Sequence, residues 1–307
     1  MDWLRLDNRA IAAWAFDFDD NILSMPTSCF YQRRDTGKVE EIPGYEVQAD
    51  PSRFSWDDSE YVLVNGDQEQ SFQNFRCVSP YLEDPFTGLL HDVEQALSNQ
   101  KLAPSFTTFK DEFLVKWRIW SIITARWNSP DNLQRALEFI NDQVLTKAEK
   151  EEQQESIIKN FWLPSSMQDT QVLQYYFREA VADYICCDNS LLRRQMWLSA
   201  NSWAERKVQA MDWWIQEVHR KLRQIGESAW KDINNIITAE SPLSIWFSDD
   251  SPSNIIAMAN HFESKIPKLW SNHKGRIFFT GKEKDLSIIK ERLHTWIEIE
   301  DNEIRFQ

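Results

Sequence analysis

Short apolar runs that end in polar clusters recur along this chain, and segments with helical spacing separate them. The run IAAWAFDF at 11–18 meets the acidic cluster FDFDDN, and RIWSIITA at 118–125 is followed by N-S-P-D and a helical segment. LSIWF at 243–247 precedes SDDSPSN, and RIFFT at 276–280 precedes a final helical segment. Strand-length apolar runs that alternate with helices predict an α/β fold with a mainly parallel sheet.

The charge balance limits the partners of the chain. Its 307 residues contain 34 Lys plus Arg and 48 Asp plus Glu, a net charge of −14. A protein that holds nucleic acid through its phosphates needs a basic face, so this balance argues against a nucleic-acid partner. A phosphate ester stays open as a substrate, because a bound divalent metal supplies the missing positive charge.

Cysteine usage and hydropathy predict a cytoplasmic protein with no membrane span. The four cysteines show no C-x-x-C or Cys/His spacing of a zinc site, which favours reduced, buried thiols. The first residues, MDWLRLDNRA, lack the pattern of a signal peptide, and no run approaches 18 apolar residues. Nothing in the sequence defines the oligomeric state.

Three of the predicted strands end in polar side chains. These are Asp17, Asp19 and Asp20 after the first, Thr124 and Arg126 after the second, and Ser248, Asp249 and Asp250 after the third. Parallel sheets bind ligands at the carboxyl ends of their strands. If these three strands are parallel neighbours, as many as five carboxylates converge on one crevice. Such carboxylates repel one another unless a cation lies among them, and Mg²⁺ is the cation that oxygen ligands favour. The metal would attract a phosphate that one carboxylate is placed to attack.

Four segments resemble, in order, the motifs of the haloacid-dehalogenase-like (HAD) phosphohydrolase superfamily. FDFDDN at 16–21 resembles motif I, D-x-D, and IITAR at 122–126 resembles motif II, a strand that ends in Thr or Ser. SWAERK at 202–207 resembles the lysine segment of motif III, and WFSDD at 246–250 resembles motif IV, a strand that ends in paired acids. Asn21 departs from the family pattern, which usually has Thr or Val there. The resemblance implies a three-layer, Rossmann-like core.

The resemblance also implies catalytic roles. Asp17 would be the nucleophile that forms an aspartyl-phosphate, and Asp19 would be the general acid for the leaving group and then the base for water. Thr124 would donate a hydrogen bond to the phosphoryl group. Lys207 would neutralise phosphate charge and hold Asp17 ionised. The alternative lysines for this last role are Lys221 and Lys231.

The implied cofactor is Mg²⁺. In the family pattern Asp249 would bind the ion together with Asp17 and the backbone carbonyl of Asp19, and Asp250 would bind it directly or through water. The implied activity is hydrolysis of a small phosphorylated substrate. Two other functions stay open: a catalytically silent binding protein with the HAD fold, and a phosphotransferase or nucleic-acid-end phosphatase.

The same resemblance divides the chain into a core and two inserts. The core would comprise residues 1–25, 105–145 and 201–307. Residues 26–104 would form a cap between motifs I and II, which closes over the site and selects substrates. Within this range, the turn residues and short β-type runs of residues 26–85 predict short, irregular β pieces. Residues 146–200, which have a helical pattern throughout, would form a second, helical insert.

Tryptophan is unusually frequent and glycine unusually rare. The chain has 15 Trp and 7 Gly, whereas a Gly content of about 7 % would give roughly 20. Trp117, Trp127 and Trp246 stand where glycine would suit the neighbourhood of the motifs, because glycine permits positive φ and close backbone approach. One hypothesis is that UGA codons, read as glycine in the source organism, have been translated here as Trp. The alternative is a genuinely Trp-rich core.

Overall fold

The fold is described from a computed structural model that covers most of the chain. The described residues are 5–6, 10–25, 28–43, 47, 51–54, 59–71, 85–116, 118–126, 128–160, 163–180, 182–200, 202–228, 237–238, 242–269, 273–281, 286–293, 297–300 and 303–306.

Strands and helices alternate through most of the described residues. The strands are β1 (Arg5–Leu6), β2 (Ala10–Phe16), β3 (Ser28–Arg33), β4 (Val39–Pro43), β5 (Tyr61–Leu63), β6 (Ile119–Thr124), β7 (Ala182–Cys186), β8 (Leu243–Asp249), β9 (His273–Phe279), β10 (Ile297–Glu300) and β11 (Glu303–Phe306). The α-helices are α1 (Gln68–Ser71), α2 (Pro85–Ser98), α3 (Phe106–Thr108), α4 (Pro130–Val144), α5 (Lys147–Asn160), α6 (Asp169–Tyr175), α7 (Ser190–Gln195), α8 (Trp203–Ser228), α9 (Pro252–Leu269) and α10 (Leu286–Arg292). The π-helical segments Phe109–Val115 and Tyr176–Ala180 continue α3 and α6, and Pro51–Phe54 and Val64–Gly66 are 3₁₀ turns.

The described strands of the main sheet confirm the predicted α/β fold with a mainly parallel sheet. Their order is β10-β11-β9-β8-β2-β6-β7, with β1 paired to β2. The five strands β9, β8, β2, β6 and β7 are parallel, and their order is that of a Rossmann-like fold. From β2 the chain continues through β6 to β7 at one edge of the parallel strands. It then crosses back and forms β8 on the other side of β2. The β2/β8 boundary is therefore the point at which such sheets bind ligands.

Helices flank the parallel strands. Because crossovers between parallel strands are right-handed, the connections from β2 to β6 and from β6 to β7 are expected on one face of the sheet, and those from β7 to β8 and from β8 to β9 on the other. Helices α8 and α9, which follow β7 and β8, accordingly contact each other. The predicted start of α4 is confirmed, because the Ser129 hydroxyl accepts a hydrogen bond from the Asn132 amide and Pro130 occupies the first turn. None of the helices described has the length and apolar character needed to cross a membrane.

The structure corrects the helical prediction for residues 172–187. The helical conformation ends at Ala180, and β7 follows and pairs in parallel with β6. A five-residue edge strand is too short to show a clear alternation of apolar and polar residues. The apolar residues of β7 also continue the helical spacing of the segment before it, so the sequence pattern predicts one helix. The range 146–200 therefore contributes a strand to the central sheet and is not wholly helical. The division of the chain into core, cap and insert stays a prediction.

A second, smaller sheet lies within the range 26–104. Its strand order is β4-β3-β5 and its pairing is antiparallel. Its buried side chains form a separate hydrophobic cluster, composed of Cys29, Tyr31, Ile42, Tyr61 and Leu63. The prediction of short, irregular β pieces in this range is confirmed.

The tryptophans fall in contrasting environments. Trp246 is buried in β8, where its ring lies 4.7 Å from that of Trp14, so its backbone needs no glycine. Trp117 and Trp127 lie outside the described residues. Trp197, just after α7, is 85 % exposed and has a φ of 56°, a left-handed conformation that favours glycine.

Candidate active site

Three carboxylates meet at the β2/β8 boundary. Asp17 follows β2 and Asp249 ends β8, and the Asp17 amide donates to the Ser248 carbonyl at 2.9 Å. One carboxylate oxygen from each of Asp17, Asp249 and Asp250 lies within 4.8 Å of the others. Asp17 and Asp249 are buried and Asp250 is half-buried. The parallel register of β2 and β8 thus brings together the two segments that resemble motifs I and IV.

Lys207 supplies a positive charge to this cluster. It lies in the first turns of α8, and its Nζ is 2.9 Å from Asp17 Oδ2 and 2.7 Å from Asp249 Oδ2. Its side chain is 1 % exposed. Burial alone would lower the pKa of Lys207, but the attraction of Asp17 and Asp249 outweighs burial and raises it. One ammonium group therefore contacts two of the three carboxylates.

The carboxylates remain electrostatically crowded. Burial raises the pKa of Asp17 to about 7; the charges of Asp249 and Asp19 add to this effect and Lys207 opposes it. Burial, followed by the charges of Asp249 and Asp17, also raises the pKa of Asp250 well above its usual range. A second cation among these oxygens would relieve the repulsion.

Asp249 is held by the start of α9. Its Oδ1 accepts from the Ser251 amide at 2.9 Å and from Asn254 Nδ2 at 3.0 Å, and its Oδ2 accepts from Asn254 Nδ2 at 3.1 Å. With Lys207, these contacts fix the carboxylate in one orientation. Sequence reasoning gave Ser251 and Asn254 no role, although the run S-P-S-N directly after the paired acids is a signal for a helix start.

The Asp19 side chain lies outside the three-carboxylate cluster and pairs with Arg126. Arg126 Nε is 3.1 Å from Asp19 Oδ1 and 2.9 Å from Oδ2, and Nη2 is 2.5 Å from Oδ1. The sequence placed Arg126 at the same sheet edge without a role. Metal binding by the Asp19 backbone carbonyl stays a prediction.

Thr124 ends β6 and is buried at the same edge of the sheet. Its carbonyl accepts from the Cys187 amide at 2.8 Å, which joins the ends of β6 and β7. The alternative lysines are not at this site in the described part of the chain. Lys221 Nζ bonds the Asp183 carboxylate at 2.7 Å and the Ala182 carbonyl at 3.0 Å, and Lys231 lies outside the described residues.

No family model, curated protein or solved structure matches this chain. Its function is therefore inferred from the site itself.

Asn21, the residue that departs from the family pattern, ties the loop after β2 to its neighbours. Its Nδ2 donates to Thr280 Oγ1 at 2.9 Å, and its Oδ1 accepts from Ser248 Oγ at 3.1 Å. Trp14 Nε1 in turn donates to Ser248 Oγ at 3.2 Å. These bonds connect the loop to the ends of β8 and β9, so Asn21 has a positional role that Val could not fill.

The three carboxylates fit a hard divalent cation. Mg²⁺ binds oxygens at about 2.1 Å, so ligands on opposite sides of the ion lie about 4.2 Å apart. The oxygens of Asp17, Asp249 and Asp250 lie within 4.8 Å of one another, a spacing close to this distance. Burial, and after it the neighbouring carboxylate charges, raises the pKa of Asp17 and that of Asp250, and a bound cation would counter both effects.

Proposed function

We propose that this chain is a Mg²⁺-dependent phosphomonoester hydrolase of the HAD-like type, acting through an aspartyl-phosphate on Asp17. The observation that carries the proposal is the contact of Lys207 with both Asp17 and Asp249 in a buried carboxylate cluster. A structural acid after a strand needs no such arrangement, whereas a nucleophile for phosphate needs a nearby cation to attract the dianion. Four motif-like segments in family order support the same conclusion.

Asp17, Asp249 and Asp250 would hold the ion. When bound, Mg²⁺ neutralises negative charge on the phosphoryl oxygens and on the carboxylates. Lys207 would keep Asp17 ionised and would screen the incoming phosphate. Thr124, at the end of β6, would donate to a phosphoryl oxygen. Most of the catalysis would then come from positioning and electrostatics.

Two steps complete the reaction. In the first, a carboxylate oxygen of Asp17 attacks phosphorus, the bond to the leaving oxygen breaks, and Asp19 gives its proton to that oxygen. In the second, Asp19 takes a proton from water, the water oxygen attacks phosphorus, and the bond to Asp17 breaks. Inorganic phosphate leaves, and Asp17 and Asp19 return to their starting forms.

The substrate would be a small phosphomonoester. Residues 26–104, which include β3, β4 and β5, would act as a cap that excludes bulk water from the aspartyl-phosphate. The net charge of −14 disfavours a nucleic-acid substrate. The expected location is the cytoplasm.

A phosphate-release screen over phosphomonoesters, with and without Mg²⁺, tests the proposal. The wild-type chain is compared with Asp17→Asn and with Asp183→Asn. The matched control, Asp183, is a half-buried carboxylate bonded to the buried Lys221 outside the cluster. We expect Mg²⁺-dependent turnover in the wild type and in the folded Asp183→Asn protein, and none in Asp17→Asn. Equal turnover in wild type and Asp17→Asn would refute the assignment of Asp17 as the nucleophile. No turnover on any ester would favour the silent binding protein.

A further inference from the structure

We infer that Arg126 is a positioning residue, which acts on the reaction by fixing the orientation of the Asp19 carboxylate. The inference rests on the proposed function, since it concerns the acid–base step of that reaction. The motif pattern gave roles to Thr124 and Asp19 but none to Arg126.

The pairing of Arg126 with Asp19 follows from the register of two neighbouring strands. Phe16 in β2 lies opposite Ile122 in β6, so the residues just beyond both strands emerge side by side. Asp20 then adopts a φ of 54°, and its amide bonds the Leu23 carbonyl, which turns the chain back directly after Asp19. The loop thus presents Asp19 to Arg126.

The guanidinium of Arg126 is restrained from two sides. Nε and Nη2 contact both carboxylate oxygens of Asp19, and the guanidinium carbon lies 5.5 Å from the centre of the Phe18 ring. The Arg126 side chain is 8 % exposed. A planar donor packed on an aromatic ring and bonded to both oxygens fixes the plane of the carboxylate, which a single point charge does not.

Orientation matters for Asp19 because, in the second step, its carboxylate must take a proton from the attacking water. A general acid or base must lie within hydrogen-bond distance of the atom it serves, and misplacement by about 1 Å can cost about 100-fold in rate. Asp17 and Asp249 are already held by Lys207 and by the start of α9. Asp19 is instead held by Arg126, so loss of the guanidinium should impair the rate and spare substrate binding.

A double-mutant cycle on turnover tests the inference. The variants are Arg126→Gln, Arg126→Lys, Asp19→Asn and the double variant Asp19→Asn/Arg126→Gln, assayed with one phosphomonoester in Mg²⁺. The matched control is Arg118→Gln, because Arg118 is a similarly buried arginine paired with a carboxylate, that of Glu112 at 2.9 Å. Urea unfolding of each variant shows which ones are folded. If Arg126→Gln does not fold, Arg126→Lys takes its place in the comparison of kcat and KM.

We expect Arg126→Gln to lower kcat by about 10- to 100-fold with KM within about twofold of wild type. Arg126→Lys should lose less, Arg118→Gln should retain kcat, and the double variant should match Asp19→Asn. A raised KM with losses that add to those of Asp19→Asn would overturn the inference, because the guanidinium would then bind phosphate directly. Wild-type kcat in Arg126→Gln would also overturn it. Equal turnover of wild type and Asp17→Asn, or none in either, would instead contradict the proposed function and with it this inference.

Discussion

The ammonium group of Lys207 lies 2.9 Å from Asp17 Oδ2, although Lys207 belongs to the first turns of a long helix and Asp17 directly follows a strand at the centre of the sheet. The same group reaches Asp249, so it links the ends of β2 and β8. Helix α8 follows β7 and contacts β6, and this packing directs its first turns towards the cluster. The positive charge that contacts Asp17 and Asp249 therefore lies on α8, the helix that connects the two halves of the sheet.

Replacement of Lys207 should lower turnover, whereas replacement of Lys221, a second buried lysine, should lower stability and leave turnover unchanged. We expect Lys207→Met to lower kcat/KM by about 100- to 1000-fold, because the phosphate loses a preorganised cation. Lys221→Met should leave the Asp183 carboxylate without its lysine partner, which should lower the unfolding free energy by about 3–5 kcal/mol. The molecules of this variant that remain folded should keep the wild-type kcat. Turnover assays and urea unfolding measure the two effects. Comparable kcat losses in both variants would argue against a special role for Lys207.

Binding of Mg²⁺ should stabilise the fold through the carboxylate cluster. A ligand at 100 times its Kd adds about 2.7 kcal/mol, so the Tm should rise by several degrees in saturating Mg²⁺. Asp250→Asn should lose most of this shift. Asp142→Asn, which changes a carboxylate that is 67 % exposed, should keep it. Thermal unfolding with and without Mg²⁺ measures the shift, and equal shifts in both variants would place the ion elsewhere.

The sequence was most informative where a buried strand meets a polar loop. Strands β2, β6 and β8 were predictable because their apolar runs are continuous and end abruptly in acids or threonine. The convergence of Asp17 and Asp249 followed once their strands were taken to be parallel neighbours, which β2 and β8 are. Strand β7 was missed because its five residues continue a helical pattern.

Contacts between elements distant in the chain could not be predicted in the same way. The position of Lys207 depends on how α8 packs, and the pairing of Arg126 with Asp19 depends on the register of β2 and β6. Periodicity within one segment carries no information on either. The hydrogen bonds of Asn21 to Ser248 and Thr280 likewise require three strand ends to be in place.

A stacked histidine pair should make stability sensitive to mild acid. His219 and His273 approach at 2.7 Å between their Nε2 atoms. Burial, with the charge of Arg223, lowers the pKa of His219, and burial, with His219, lowers that of His273 to about 4. An unfolded histidine takes up its proton near pH 6.5, so the unfolded state binds more protons between about pH 6.5 and 4.

The free energy of unfolding should therefore fall as pH drops through this window. We expect His273→Gln, which removes one titrating ring, to flatten the decline by about 2 kcal/mol between pH 7 and 5. Urea unfolding at both pH values, in wild type and variant, measures the difference. Parallel declines in the two proteins would show that the pair contributes nothing to it.

Trp197 occupies a backbone position suited to glycine. After α7, the Leu198 amide bonds the Arg193 carbonyl at 2.9 Å, a helix-terminating pattern whose left-handed residue is usually glycine. Trp197→Gly should raise the free energy of unfolding by about 0.5–1 kcal/mol, because the exposed ring buries little and the strain at φ 56° is released. Trp197→Ala is the matched control and should gain nothing. An equal gain in both variants would show that the ring, not the backbone, is responsible.

The hypothesis of glycine codons translated as tryptophan makes a separate prediction at this position. Codon 197 of the gene should be UGA, and the native protein from its source organism should contain glycine there by mass spectrometry. A UGG codon would contradict the hypothesis at Trp197 and leave a genuine tryptophan in a strained turn.

The phosphorylated state of Asp17 tests the central claim most directly. The Asp19→Asn protein, in which water activation is slowed, is mixed with p-nitrophenyl phosphate and Mg²⁺ and quenched rapidly in acid. The peptide that contains Asp17 is then examined by mass spectrometry, with and without hydroxylamine treatment, which cleaves acyl phosphates. We expect one phosphoryl group on Asp17 that hydroxylamine removes. Turnover of the ester by the wild-type protein with no phosphoryl group on Asp17, or with one on another residue, would contradict the account.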